Sequence, residues 1–142
     1  MKKILFVCHG NICRSPRAEF IMKDMVKKAG LADRFEIASC AASREEEGNP
    51  IYGPARRELR EHGIPFTEHY AQLITARDLT YYDYIYYMDS RNARYLHHLF
   101  PEFTGFMPIL PRDVADPYYS GDFRQSWDDL CEGCRNILEA LK

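Results

Sequence analysis

The chain has no basic run long enough to attract nucleic acid or an acidic membrane surface, and its formal net charge is −2. Any affinity for anions is therefore expected to be local. No apolar stretch approaches the length of a membrane span. The segment Met1-Lys2-Lys3-Ile4-Leu5-Phe6-Val7-Cys8 opens as a secretion signal would, but its apolar run stops at His9 with no small-residue cleavage site. A disulfide framework is also missing, because the five cysteines are an odd number, and without an export signal they point to a reducing compartment. A cytoplasmic protein with free thiols is the expectation. Repeats, low-complexity tracts and interdomain linkers are absent too. With 142 residues, 46% of them hydrophobic, the chain can build one well-packed core, so a single domain over residues 1–142 is expected.

What is present alternates between two periods. Ile4 to Val7 is a short, wholly apolar run of strand formers, as suits a central parallel strand covered on both faces. Ser15-Pro16 reads as a helix start with Ser15 at the N-cap, followed by the stripe Ala18, Met22, Met25 and Ala29 and a stop at Gly30. Phe35 to Ser39 reads as a second strand, and Ser43 to Gly53 as a surface loop. Pro54 then opens a short helix that Gly63 closes. Tyr84 to Met88 reads as a third strand, Ser90 to Phe100 as a helix, and Phe106 to Ile109 as a weaker fourth strand interrupted by proline. Trp127, Leu130, Cys131, Cys134, Ile137, Leu138 and Leu141 recur at helical spacing in a final helix. Strands alternating with helices predict an α/β fold of three layers, a four-stranded parallel sheet with helices on both faces.

The segment between the first strand and the first helix carries the chemistry. Cys8-His9-Gly10-Asn11-Ile12-Cys13-Arg14-Ser15 spaces a thiol and a guanidinium as Cys-x5-Arg around one small concavity. Backbone N–H groups turned inward, next to a helix N-terminus, make an anion site. Gly10 lets the backbone bend without a side-chain clash, and Asn11 is among the few non-glycine types that tolerate left-handed angles. The positive field of such a loop favours thiolate over thiol at Cys8, which makes it a nucleophile. Arg14 offers a planar fork able to hold two phosphate oxygens. The Ser15 hydroxyl is placed to donate to the thiolate, and Cys13 is near enough in sequence to make reversible oxidation with Cys8 a hypothesis. A lone Cys and Arg would read as a core thiol and a solvated cation; the preceding strand, the internal Gly and Asn, and the following Ser-Pro argue otherwise. The loop is no nucleotide cradle of the Gly-x4-Gly-Lys-Ser/Thr kind, since the second Gly and the Lys are missing.

Val7 to Pro16 together with Ala18-Glu19 closely resembles the signature of the low-molecular-weight protein tyrosine phosphatases. Asp116-Pro117-Tyr118-Tyr119, far along the chain, resembles that family's general-acid loop, and chain length and element order agree from end to end. The resemblance implies that Cys8 attacks phosphorus while Asp116 protonates the departing oxygen. Water then hydrolyses the cysteinyl phosphate, with Asp116 acting as base. A tyrosine phenolate, with an ordinary pKa of about 10, leaves more readily when protonated, so the chemistry fits an aryl ester. Neither step calls for a metal or a cofactor. The partners implied are a phosphotyrosine protein or small aryl phosphate and the product inorganic phosphate, with no nucleic acid or membrane; the oligomeric state is left open.

By the same resemblance, His9, Gly10, Asn11, Ile12, Cys13 and Ser15 line the substrate loop, and Tyr118 and Tyr119 form an aromatic wall. A network holding Asn11 would comprise Ser15, Ser39 and His69. Two departures stand out. His9 replaces a small or aliphatic residue at the loop rim. The opposite wall, where relatives often carry an aromatic residue, presents Arg44-Glu45-Glu46-Glu47, read either as a solvated charge run or as a bias toward basic phosphopeptides, with Tyr52 nearby as a further aromatic.

Three other readings compete. A protein-arginine phosphatase shares the loop, but that branch resembles a pattern with Thr at position 12, where this chain has Ile12. An arsenate reductase of this fold needs further cysteines on a mobile segment, and none occurs between Cys40 and Cys131. A non-catalytic phosphate-binding module would need neither Cys8 nor Asp116. Cys131-x2-Cys134 lacks a second Cys/His pair at zinc spacing and reads as core thiols, so no metal site is expected.

Overall fold

A computed structural model describes residues 1–142. Four parallel strands run in the order β2-β1-β3-β4. They are β1 (Lys2–Cys8), β2 (Phe35–Ala41), β3 (Tyr84–Tyr87) and β4 (Phe106–Pro108). β1 is central because Ile4 to Val7 are apolar on both faces, each at most 2% exposed. Its register sets Ile4 beside both Ile37 and Tyr84, and Cys8 beside Ala41. β4 is an edge strand, where Pro108 removes no needed ladder bond.

Alternate residues of β1 feed two cores. Ile4, Phe6 and Cys8 join a 22-residue cluster that takes in α1 (Arg14–Lys28), α2 (Gly53–Glu61) and α6 (Phe123–Leu141). Leu5 and Val7 join a smaller cluster of seven with Ile85, Ile74 and Leu96, the last on α4 (Ser90–Leu99). Helices therefore cover both faces, the heavier layer lying on the side that carries α1. The short α3 (Ala76–Tyr81) adds Leu79 to the second face. Gly133 lets α6 approach the end of β4, since a Cβ there would sit 2.5 Å from Ile109 Cγ1.

Several boundaries differ from the sequence reading. α1 begins at Arg14 with Cys13 as its N-cap, so Ser15 is not the cap. Its hydroxyl is turned inward instead, and no side chain caps the helix. Ala29, the C-cap just past that helix, is exposed, while Ile21 and Val26 complete the buried stripe. α3 forms in a stretch to which the sequence assigned no element, and the four-residue α5 (Pro117–Ser120) forms within the loop expected to carry Asp116. α3 carries a capping box between Thr75 and Asp78, the local signal that starts it. Pro54 opens α2 as expected, and Gly63 follows it in the left-handed region at φ 68°.

Candidate active site

The loop leaves β1 at Cys8, whose carbonyl accepts from Ala42 N at 2.9 Å. Three donors converge on the Cys8 sulfur: Asn11 N at 3.3 Å, Ser15 N at 3.4 Å and the Ser15 hydroxyl at 3.0 Å, the last able to act in either direction. All three come from the loop itself. Asn11 is the one non-glycine residue at positive φ, 60°, as its type foreshadowed. Its side chain is fully enclosed. Nδ2 donates to Ser15 Oγ at 2.8 Å and Ser39 Oγ at 3.0 Å, while Oδ1 lies 3.0 Å from His69 Nε2 and accepts from Gln72 N at 3.3 Å. The four residues foreseen as a network are thus brought together, with Ser39 supplied by β2.

Arg14 is 2% exposed and braced from three sides. Nη1 donates to Asp89 Oδ2 at 2.6 Å and to the Val114 carbonyl at 2.8 Å, and Nη2 reaches Asp116 Oδ2 at 3.4 Å. Burial by itself would ease its deprotonation, but Cys8, Asp89 and Asp116 outweigh that and hold the guanidinium charged. Asp116 caps α5, its Oδ1 accepting from Tyr118 N at 3.0 Å, with Pro117 at the first helical position. The cap fixes the carboxylate toward the loop. Cys8, Arg14 and Asp116 line a single cleft with His9, Gly10, Ile12 and Cys13.

One wall is Tyr118 and Tyr119, the other Glu45 and Glu46. Tyr52 stands behind the wall rather than in it, its ring 5.2 Å from that of Tyr118. His9 Nε2 lies 2.9 Å from Glu45 Oε2, and its ring meets Tyr95 edge-on at 5.1 Å. A Cβ at Gly10 would approach Glu46 Cγ to 3.1 Å, so glycine here makes room for the opposing wall. Burial pushes the Cys13 thiol up to about 12, against the pull of Arg17, and both Cys8 and Cys13 are free.

The family model for low molecular weight phosphotyrosine protein phosphatase matches residues 3–142. The chain belongs to this family. Among its relatives in the family is the low molecular weight protein-tyrosine-phosphatase YfkJ of Bacillus subtilis, 34% identical, with 100% of this chain and 97% of that one covered. The solved structure of the Streptococcus pyogenes family member SP-PTP superposes with a TM-score of 0.93 at 36% identity, covering 100% of this chain and 94% of that one. The Drosophila arginine phosphatase DARP also superposes, with a TM-score of 0.89 at 30% identity and 100% and 98% coverage. The family fold and the parallel sheet with helices on both faces are thus established for this chain.

Sequence reasoning overlooked three residues here. Asp89 does two jobs: Oδ1 caps α4 by accepting from Asn92 N at 2.8 Å, while Oδ2 takes Arg14. The N-cap pattern Asp-Ser-Arg-Asn after the third strand was visible; the reach to Arg14 was not. Glu19, 6% exposed, accepts from Ser39 Oγ at 2.6 Å and lies 3.9 Å from His69 Nδ1, extending the Asn11 network. Arg17 is fully buried behind the loop.

Proposed function

We propose that this chain hydrolyses phosphotyrosine and other aryl phosphate monoesters through a cysteinyl-phosphate intermediate. In the first step Cys8 Sγ attacks phosphorus, the bond from phosphorus to the aryl oxygen breaks, and Asp116 delivers a proton to that oxygen. Arg14 and the inward N–H groups of residues 9 to 15 bind the equatorial oxygens as charge redistributes over them. In the second step water attacks phosphorus, Asp116 takes its proton, and the sulfur–phosphorus bond breaks to release inorganic phosphate. The Ser15 hydroxyl, 3.0 Å from Sγ, donates to the departing thiolate. Tyr118 and Tyr119 stack on the substrate ring. Neither step uses a metal or cofactor. The 142 residues act as one catalytic domain in the cytoplasm, on protein or small-molecule substrates.

The observation that carries this reading is a sulfur ringed by three donors in the same cleft as an arginine–carboxylate pair. A phosphate binder has no use for either the sulfur or the acid. The likeness to DARP keeps phosphoarginine as the second substrate to try, and Ile12 in the cleft lining favours the aryl ester. Turnover of p-nitrophenyl phosphate and of a phosphotyrosine peptide, compared with phosphoarginine, tests the choice. Cys8→Ser should lower turnover by about 10⁴-fold or more. Activity that survives this substitution would sink the mechanism.

A further inference from the structure

Arg17, on the first turn and a half of α1, is 0% exposed and plays no part in the chemistry above. Its Nε donates to the Cys13 carbonyl at 3.1 Å, and its own backbone N–H reaches the same oxygen at 3.3 Å. Nη1 donates to Glu58 Oε1 on α2 at 2.8 Å, and Nη2 lies 3.6 Å from Cys13 Sγ. The guanidinium carbon sits 5.4 Å from the centroid of the Phe123 ring, at the start of α6 and two residues past the segment that carries Asp116. Phe123 stacks on Tyr52 at 6.2 Å, and Tyr52 packs on Tyr118. One side chain therefore touches the phosphate loop, α2 and the root of the acid segment.

A buried ion pair is a poor way to gain stability, because desolvating both charges offsets most of their attraction, and apolar residues of like volume fill such a site as well. What the pair does supply is direction. A trans peptide is planar, so a carbonyl held on one side turns the following N–H to the other. Pinning the Cys13 carbonyl toward Arg17 thus aims the Arg14 N–H away from it. As the first residue of α1, Arg14 has no helical carbonyl to donate to, and that N–H is left for an anion in the cleft.

We propose that Arg17, locked by Glu58, is a positioning residue: it orients the Cys13–Arg14 peptide of the phosphate loop and seats the Asp116 segment against that loop. The proposal rests on the hydrolase reading given above. It is tested with Arg17→Met, with Arg17→Lys, and with the double variant Arg17→Met/Glu58→Met, which replaces both charges by apolar groups and so guards against a fold lost to an orphaned carboxylate. Two quantities are read in each: the dissociation constant for inorganic phosphate by calorimetry, and kcat for phenyl phosphate relative to p-nitrophenyl phosphate. In the folded double variant phosphate binding should weaken by about tenfold. The kcat should fall by about 10- to 100-fold for phenyl phosphate and far less for the activated ester, because a misplaced acid penalises the poorer leaving group. Arg17→Lys keeps a cation for Glu58 but loses the Nε donor, and should behave like Arg17→Met. If the folded double variant keeps either the parental phosphate affinity or the parental ratio of the two esters within twofold, the positioning role is overturned. Should the parent itself turn over no aryl phosphate, the hydrolase reading fails, and the phosphate affinities alone still decide the role of Arg17.

Discussion

Two segments meet at the cleft, and they are held in opposite ways. The loop from Cys8 to Ser15 is built inward: Asn11 and Ser15 are wholly enclosed, Arg14 nearly so, and each buried side-chain nitrogen and oxygen has a partner. The segment from Asp116 to Gly121 lies at the surface, with Tyr118 51% and Tyr119 71% exposed. It reaches the loop through the long Arg14–Asp116 contact and through the Tyr118 ring packed on Tyr52, whose N–H donates to the Ile12 carbonyl. Stabilising charge on a transferring phosphoryl group requires donors that do not reorganise during the reaction. Delivering a proton to leaving groups of different shape requires only that one carboxylate reach them.

The largest effect that would break this division comes from the acid. Asp116→Ala should lower kcat for phenyl phosphate by about 10²- to 10⁴-fold and leave p-nitrophenyl phosphate much less affected. Equal losses on both esters would move the acid elsewhere. Next comes the loop's strained residue. Asn11→Ala loses four contacts and keeps an unfavourable φ, and should cost about 1–3 kcal/mol in chemical denaturation. Asn11→Gly relieves the angle but not the contacts, so it should recover part of the stability, while kcat should stay below the parental value in both variants. Full recovery of activity in the glycine variant would show that the network is dispensable. Third, Tyr119→Ala should raise KM for aryl phosphates by about two- to tenfold with little change in kcat, as loss of a stacking contact would; an unchanged KM would remove it from the wall.

The smallest effect is one of pH. Burial lowers the His69 value below its ordinary 6.5, with Glu19 opposing and Lys23 reinforcing. The unfolded chain therefore takes up this proton first as pH falls. The contribution of neutral His69 to stability is intact above about pH 6.5 and is lost as pH drops through the folded-state value. Between pH 7 and pH 5 the melting temperature of the parent should fall further than that of His69→Asn. Parallel curves would mean that His69 does not sense pH.

Much of this was legible from local pattern. Apolar Ile4 to Val7, Gly10 and Asn11 foretold a strand, a tight turn and a left-handed angle, because each depends on the residue's own sterics. Cys8 and Arg14 were legible from spacing, and Asp116 only through resemblance. Ser15 was misread as a cap because Ser-Pro has that local meaning, whereas here the sulfur claims the hydroxyl. Asp89, Glu19 and Arg17 were illegible in their site roles for a different reason. Each acts on a partner brought near by the sheet register, by α1 lying over β2 or by α2 meeting α1, separations of 75, 20 and 41 residues.

The order β2-β1-β3-β4 has a consequence for how the protein is made and handled. Every strand pair is parallel, so none closes through a hairpin, and β1 gains its neighbours only after the chain has crossed over twice. Until then nothing encloses Cys8, Cys13, Cys40 or Cys134, all four buried at the end. A newly made or unfolded chain thus presents several mutually accessible thiols during its slowest steps. Wrong disulfides formed in that interval would block the sheet from closing, so activity recovered after denaturation should be higher with reductant present throughout refolding, and reductant added later should restore it by reducing those bonds.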